Sequence, residues 1–164
     1  MDAPGDSTDC RECGASGVGG VEGCKRLFEE VVGREFSRPE LFRVHRLTVD
    51  AYSLQHPDPY MKSAKSAAAH LAGMCWSLEF GGGPEVSRAL SRWLDGAPDL
   101  PTIAPPAGCE RGAITVRDVD EAADSAEHIR RVEAWAEAAW HAWSEHHAQA
   151  RAWVEQASGR RAEP

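Results

Sequence analysis

The chain has 164 residues and a formal net charge of −8, from 18 Lys and Arg residues against 26 Asp and Glu residues. That length suits one domain with an ordinary core, and the acidity argues against nucleic acid or an anionic membrane as a general partner. No apolar run is long enough to span a membrane, and the acidic N-terminus is unlike a secretion signal. We therefore expect a cytoplasmic protein.

Three cysteines, Cys10, Cys13 and Cys24, follow a predicted disordered tail of residues 1–9. Two residues separate Cys10 from Cys13 and Gly14 comes next, which is the spacing of a zinc knuckle, where a tight turn points both sulfurs at one ion. Cys24 opens a predicted helix, whose first turn stabilises a thiolate. The cluster predicts a bound metal, with zinc as the expected ion. A thiol redox pair fits the same spacing.

Residues that are typical of helix starts and helix ends then predict an all-α bundle of about five helices. These helices span residues 24–36, 39–55, 63–80, 85–94 and 118–157, the last with a break near residue 124. A loop rich in Pro and Gly covers residues 95–116 and ends in a brief strand at 114–116. We expect a single metal-binding helical domain over residues 10–158 and a tail over residues 159–164.

The second predicted helix offers two histidines as the fourth metal ligand. His45 and His56 share one helical face but lie about 16 Å apart at 1.5 Å per residue, so only one of them can join the cysteines. His56 ends the helix before Pro57 and can turn towards the cysteine loop, whereas His45 lies deeper in the bundle. Both also fit ordinary roles, His45 as a hydrogen-bonded core residue and His56 as a residue at a helix C-terminus.

Histidine and aromatic residues on three predicted helices indicate a pocket that accepts a small molecule. Tyr52, His70, Trp143 and His146 fall on inward faces, and these tyrosine and histidine side chains are the candidate catalytic groups, with His70 or His146 as general base. An alternative is a second metal held by His45, His70 and either His146 or His147, because histidines from three helices of a bundle can bind a catalytic ion. The ordinary interpretation is a thick aromatic core.

Four segments carry a resemblance to a known family. They are Cys10-x-x-Cys13-Gly14, the stretch HRLTVDAYSLQHP from His45 to Pro57, the helix around His70-Leu71, and Trp140-x-x-Trp143-x-x-His146-His147. Over nearly the whole chain this pattern resembles a bacterial family of unknown function, DUF5946. The resemblance implies that the cysteine and histidine layout is a family theme, and it implies no reaction. The layout also looks loosely like four-helix metal-dependent thiol transferases, although the spacing differs.

Three hypotheses of function remain open at this stage. The first is a zinc-binding protein with a small-molecule pocket, in which a metal-bound water or substrate thiol would be the nucleophile if it is an enzyme. The second is a non-enzymatic, zinc-stabilised interaction module whose tryptophan-rich helix packs on a partner or on a second copy, giving a homodimer. The third is metal sensing or trafficking. Exposed side chains at Trp140, Trp143 and Trp153 would favour the second hypothesis.

Overall fold

The structure is a computed structural model, and it describes residues 8–159. Within that range the regular secondary structure is entirely helical, with eight α-helices and three short 3₁₀ helices. The α-helices are α1 (Gly20–Ser37), α2 (His45–Gln55), α3 (Pro57–Tyr60), α4 (Ala64–Glu79), α5 (Glu85–Asp95), α6 (Val116–Asp120), α7 (Ser125–Ala142) and α8 (His147–Ser158). The predicted all-α fold with an N-terminal cysteine loop is confirmed, although the described residues form more helices than the five expected.

Side-chain caps set the starts of two of the long helices. The Ser63 hydroxyl accepts a hydrogen bond from the Ser66 N–H at the start of α4. The Asp124 carboxylate accepts one from the Glu127 N–H at the start of α7. Each cap satisfies an N–H group that the first turn of a helix leaves without a partner. Helix α4 begins at Ala64 and α7 begins at Ser125. The sequence predicted a helix start at residue 63 and a helix break near residue 124, so both starts agree with the prediction to within two residues.

Two long predicted helices are divided by tight turns. Residues 39–55 form a 3₁₀ helix, Pro39–Val44, that leads directly into α2. The expected helix over residues 118–157 is three helices, α6 to α8, and the last of the three 3₁₀ helices, Ser144–His146, separates α7 from α8; the remaining one is Gly108–Glu110. Because both turns keep the chain nearly helical, apolar periodicity alone does not reveal them.

The strand expected at residues 114–116 is not among the described elements. Thr115 instead forms a capping box with Asp118, whose carboxylate accepts the Thr115 N–H at 2.8 Å, and Val116 begins α6. A β-branched run of three residues is too short to distinguish a strand from a helix start.

Helix α2 lies at the centre of the bundle and packs against α1, α4 and α7, while α4 also packs against α5 and α8. Tryptophan side chains fill much of the core between these helices. Trp140, Trp143 and Trp153 are only 5%, 1% and 1% exposed. The indole N–H of Trp143 donates to the Leu54 carbonyl at 3.0 Å, which satisfies the polar end of a buried ring. These side chains form the core, so they present no surface for a partner.

Most of the two predicted tails lies outside the described residues. Thr8 is described, and its carbonyl accepts hydrogen bonds from the Gly19 and Gly20 N–H groups at the start of α1. The single domain over residues 10–158 stays a prediction. None of the helices in residues 8–159 is both long enough and apolar enough to cross a bilayer.

Candidate metal centre

The first two cysteines lie on a tight turn. The Gly14 N–H donates to the Cys10 carbonyl at 2.7 Å, and the Cys10 N–H donates to the Ala15 carbonyl at 2.9 Å. Gly14 has a φ of 79°, a left-handed conformation that glycine adopts without strain. This turn places the thiols of Cys10 and Cys13 on one side of the loop, as the knuckle spacing predicts.

The third cysteine comes from α1. Cys24 is the fifth residue of this helix, because α1 begins at Gly20 rather than at Cys24 as predicted. Gly23 allows the preceding loop to close on the helix, since a Cβ at this position would lie 1.8 Å from the Val18 carbonyl oxygen. The glycine-rich segment therefore folds back tightly and brings Cys24 to the knuckle.

His56 comes from the end of α2, where its backbone leaves the helical conformation before Pro57. Its Nδ1 lies 2.8 Å from the Tyr52 carbonyl oxygen, which accepts the ring N–H. That hydrogen bond leaves Nε2 as the nitrogen with a free lone pair, directed at the cysteines. A backbone carbonyl that fixes the tautomer in this way is a usual partner of a metal-binding histidine.

The four side chains form a compact, buried group. Their ligand atoms all lie within 4.8 Å of one another, and all four residues are buried. The His56 Nε2 is 3.5 Å from the sulfurs of both Cys10 and Cys24, and the sulfurs of Cys13 and Cys24 are 3.7 Å apart. A tetrahedral zinc ion with ordinary bond lengths requires about 3.6 Å between sulfur and nitrogen and about 3.8 Å between sulfurs. The spacing therefore fits a tetrahedral ion, and the cysteines are free thiols.

A negative charge on one of the three thiols disfavours a negative charge on the other two. Hydrogen bonds from Cys13 and Cys24 lower the pKa of the Cys10 thiol. The interaction with Cys10 raises the pKa of Cys13 to about 12, and interactions with both other thiols, together with burial, raise the pKa of Cys24. The cluster alone thus favours a single thiolate. A divalent cation would offset the charge of all three, which is the chemistry that this donor set suits.

An aromatic stack covers the histidine side of the cluster. Tyr52 stacks on His56 with ring centroids 3.8 Å apart, and Phe28 stacks on the other face of Tyr52 at 3.9 Å. Burial raises the pKa of the Tyr52 phenol, so the hydroxyl stays protonated. The structure thus places Tyr52, a candidate catalytic residue, in a buried stack against His56 of the cysteine cluster.

A buried ion pair holds the turn between Cys10 and Cys13 in place, because one of its members, Glu12, belongs to that turn. Arg111 Nη1 lies 2.6 Å from Glu12 Oε2 and also donates to the Glu12 carbonyl. The Gln55 side chain, next to His56, donates to the carbonyls of Arg111 and Ile114, and its oxygen accepts the Trp135 indole N–H at 2.8 Å. This network links the residues beside two ligands to the core of the bundle.

His45 lies apart from the cysteines. Its Nδ1 is 2.9 Å from Glu35 Oε2, and its ring stacks on Phe42. The structure therefore brings His56 to the cysteine cluster and leaves His45 at the opposite end of α2. The physical reason is the helix itself, which separates its first and last residues by several turns.

His70 and His146, the two candidates for the general base, have separate hydrogen-bond partners, and the pocket that they are expected to share stays a prediction. His70 Nδ1 lies 2.9 Å from Asp50 Oδ1, whereas His146 Nε2 lies 2.8 Å from the Ala104 carbonyl oxygen, so each ring has its own partner in a different part of the fold. His146 belongs to the 3₁₀ turn after α7, which directs its ring at the loop instead of continuing the helical stripe. Within residues 8–159, one group of three or more side chains could hold a metal ion. It consists of the four residues already described, Cys10, Cys13, Cys24 and His56.

Two important residues were missed by the sequence interpretation. Glu35 is fully buried and contacts His45, Thr48 and His128. Glu35 lies four residues after Val31 on the buried face of α1, so the helical periodicity of the sequence could have predicted that it is buried. Arg111 lies in an irregular loop, where no pattern indicates its partner.

The comparisons with known proteins agree with the resemblance seen in the sequence. The searches of curated proteins and of solved structures returned no match. The family model described as "Family of unknown function (DUF5946)" matches residues 8–144, a range that contains all four side chains of the cysteine centre. The chain therefore belongs to the DUF5946 family.

Proposed function

We propose that this protein binds one zinc ion through Cys10, Cys13, Cys24 and His56, and that the ion has a structural role. The observation that supports this most directly is the match between the observed sulfur and nitrogen separations and those of a tetrahedral zinc ion. When bound, zinc would hold the glycine-rich loop against the end of α2. Such a loop has little order of its own, so the binding energy of the ion becomes folding energy.

The number of ligands favours a structural role over a catalytic one. Four protein side chains complete a tetrahedral shell, whereas catalytic zinc sites keep one position for water or substrate. The ligands are also buried, Cys13 being the most exposed at 5%. A metal-dependent enzyme at this centre would need one ligand to leave. We therefore place the non-enzymatic, zinc-stabilised domain ahead of the metal-dependent enzyme.

The burial of the ligands also bears on the remaining alternatives. A metal sensor or trafficking protein has to exchange its ion, and a centre enclosed by the Tyr52 stack and the Glu12–Arg111 pair would exchange slowly. Three thiolate ligands further require a reducing compartment, which supports a cytoplasmic location. We propose no nucleic acid or membrane partner, in keeping with the acidic surface.

The test is the metal content of the full chain purified under reducing conditions without added metal. One zinc per chain is expected in the wild type and in Cys75→Ala, which removes a buried thiol outside the centre. Cys13→Ser should lower the zinc content and the unfolding midpoint together. Cobalt exchanged into the wild type should give the absorption of a tetrahedral thiolate complex, and that signal should be lost in Cys13→Ser. An unchanged zinc content in Cys13→Ser would overturn the assignment.

A further inference from the structure

An exposed aromatic cluster lies where the end of α1 meets the 3₁₀ helix Pro39–Val44. Phe36 and Phe42 are 64% and 55% exposed, and their ring centroids are 5.8 Å apart. The ring centroid of His45 is 4.6 Å from that of Phe36 and 5.4 Å from that of Phe42. Among residues 8–159, the exposed large apolar side chains are these two phenylalanines and Phe80, so two of the three meet at this corner.

The corner is supported by the buried core beneath it. Leu41 and Val44, in the same 3₁₀ helix, are buried. His45 Nδ1 lies 2.9 Å from Glu35 Oε2, and Glu35 Oε1 lies 2.9 Å from His128 Nε2 on α7. The aromatic cluster therefore rests on a backbone and a histidine ring that are already fixed. A surface that is ordered in advance loses less entropy when it binds a partner.

The charged side chains at this corner balance one another. Arg38 and Glu40 are both exposed, two positions apart. Arg43, next to Phe42 in the chain, lies 3.7 Å from Glu133 of α7 in an exposed ion pair. These two arginines and two glutamates carry no net charge together, whereas the whole chain carries −8. Two copies of the chain repel each other over most of their surface, and this corner is where they can approach with the least repulsion.

We propose that this corner is the contact surface of a symmetric homodimer, in which the phenylalanine pair of each copy packs on the pair of the other. A twofold interface brings the same patch of both chains together, so Arg43 can pair with Glu133 of the partner subunit, and the reciprocal pair forms as well. A partner of one dominant charge would meet as many like charges as opposite ones here. The balanced charges therefore favour a second copy over an acidic or a basic partner.

The dimer should be weak, because its apolar contact is small. A whole phenylalanine side chain offers ~200 Å², so the exposed parts of the two rings amount to roughly 240 Å² per copy. Standard interfaces bury about 800 Å² per partner, and smaller ones belong to transient complexes. We therefore expect a dissociation constant in the micromolar range. The homodimer expected from the sequence would use the tryptophan-rich helix instead, but those rings form the core.

The first experiment is sedimentation equilibrium of the full-length protein under reducing conditions, from about 5 to about 500 µM. The mean mass of the wild type should rise from that of one chain towards that of two. The double variant Phe36→Ser, Phe42→Ser should weaken the dimer about tenfold or more, because it removes the apolar contact. Phe80→Ser is the matched control, an exposed phenylalanine at the end of α4. A wild type that stays monomeric throughout, or an equal loss in the control, would overturn the proposal.

The second experiment reverses the charges and tests the twofold geometry. Arg43→Glu and Glu133→Arg should each weaken the dimer, since each places like charges opposite each other. An equimolar mixture of these two variants should form a heterodimer tighter than either homodimer, because opposite charges then meet at both contacts. The mixture of Lys65→Glu and Asp95→Lys is the control, as that exposed pair is also 3.7 Å apart. No gain in the first mixture, or the same gain in the control, would contradict the interface.

Zinc content measured on the same samples separates this proposal from the metal centre. The phenylalanine and charge variants should keep the zinc content of the wild type, because the corner shares no residue with the cysteine cluster. A variant that loses both its zinc and its dimer would show that the loss of association follows from misfolding, and the charge mixture then decides, since it restores a contact without altering a ligand.

Discussion

Arg111 and Glu12 lie 99 positions apart in the chain, yet Arg111 Nη1 is 2.6 Å from Glu12 Oε2 in a buried ion pair. Glu12 is one of the two residues between Cys10 and Cys13. The pair therefore joins the irregular loop before α6 to the turn that presents two of the proposed zinc ligands. Stability of the loop and affinity for the metal should be coupled through this contact.

Replacing Arg111 with Met should lower the free energy of unfolding by about 3 kcal/mol, because it leaves a buried carboxylate without its cation. Zinc affinity, measured by competition with a chelator, should fall as well. Arg43→Met is the control, since the Arg43–Glu133 pair is largely exposed and weakly formed, and its loss should cost less than about 0.5 kcal/mol. Similar losses in denaturant titrations of both variants would contradict a special role for Arg111.

Removal of the metal should expose the knuckle to proteolysis. Arg11 lies between two proposed ligands, and its side chain is already exposed, so a trypsin site is present that only the fold of the loop protects. A strong zinc chelator should accelerate cleavage after Arg11, detected by mass spectrometry. Cleavage after Lys62 provides the internal control, because Lys62 is outside the centre. Equal acceleration at both sites would indicate general unfolding instead of local loss of the loop.

Gly73 leaves room for a partly buried ion pair between Arg46 and Asp50. A Cβ at this position would lie 2.1 Å from Arg46 Nη2 and 2.7 Å from Asp50 Oδ2. Gly73→Ala should therefore displace the Arg46–Asp50 pair and destabilise the protein by about 2 kcal/mol, measured by chemical denaturation. Gly33→Ala is the opposite case, a helical glycine with no atom within 4 Å of the added carbon, and it should stabilise by about 0.5 kcal/mol. Loss of stability in both variants would show that the space around Gly73 is not the cause.

Glu35 should make stability depend on pH. Burial alone would raise the pKa of Glu35, but hydrogen bonds with His128, His45 and Thr48 outweigh burial and lower it. A carboxyl group with a lowered folded-state pKa contributes stability that is present above its unfolded-state pKa, about 4.3, and is lost as the pH falls through the folded-state value. Glu35→Gln should thus be about 2 kcal/mol less stable than the wild type near neutral pH.

The measurement for Glu35 is the difference in unfolding free energy between wild type and variant across the acidic range. That difference should shrink as the pH falls below about 4, because the carboxyl group of the wild type becomes protonated. Loss of zinc in acid affects both proteins, so it cancels in the comparison. A difference that stays constant with pH would contradict the role of the Glu35 charge.

The parts of the candidate site that depend on local sequence were accessible before the structure was known. The knuckle turn is closed by contacts among neighbours, from Cys10 to Ala15, so the spacing and Gly14 suffice to predict it. Pro57 after His56 indicated the end of α2, and the end of a helix is where a side chain can reach an adjoining loop. The choice between His56 and His45 needed the position of α2 against α1, which no local pattern contains.

Other features depend on distant partners and escaped prediction for that reason. The turn at Trp143 converts one expected helix into α7 and α8, and it moves His146 from the core to the loop at Ala104. Glu35 is acceptable in the core only because three side chains from α2 and α7 meet it. Periodicity identifies which faces are buried, but it does not identify what a buried polar group will meet.

The order of the ligands along the chain also bears on how the protein is made. All four belong to residues 10–56, so a ribosome translates them before it reaches α4, α5, α7 or α8. An ion taken up at that stage would cross-link Cys10 to His56 across 46 positions while most of the bundle does not yet exist. Arg111 is translated later and then forms its ion pair with Glu12. The proposed zinc ion would therefore bind first, and the completed chain would slow its release. Nascent chains stalled before Arg111 should therefore hold zinc but release it to a chelator faster than the finished protein.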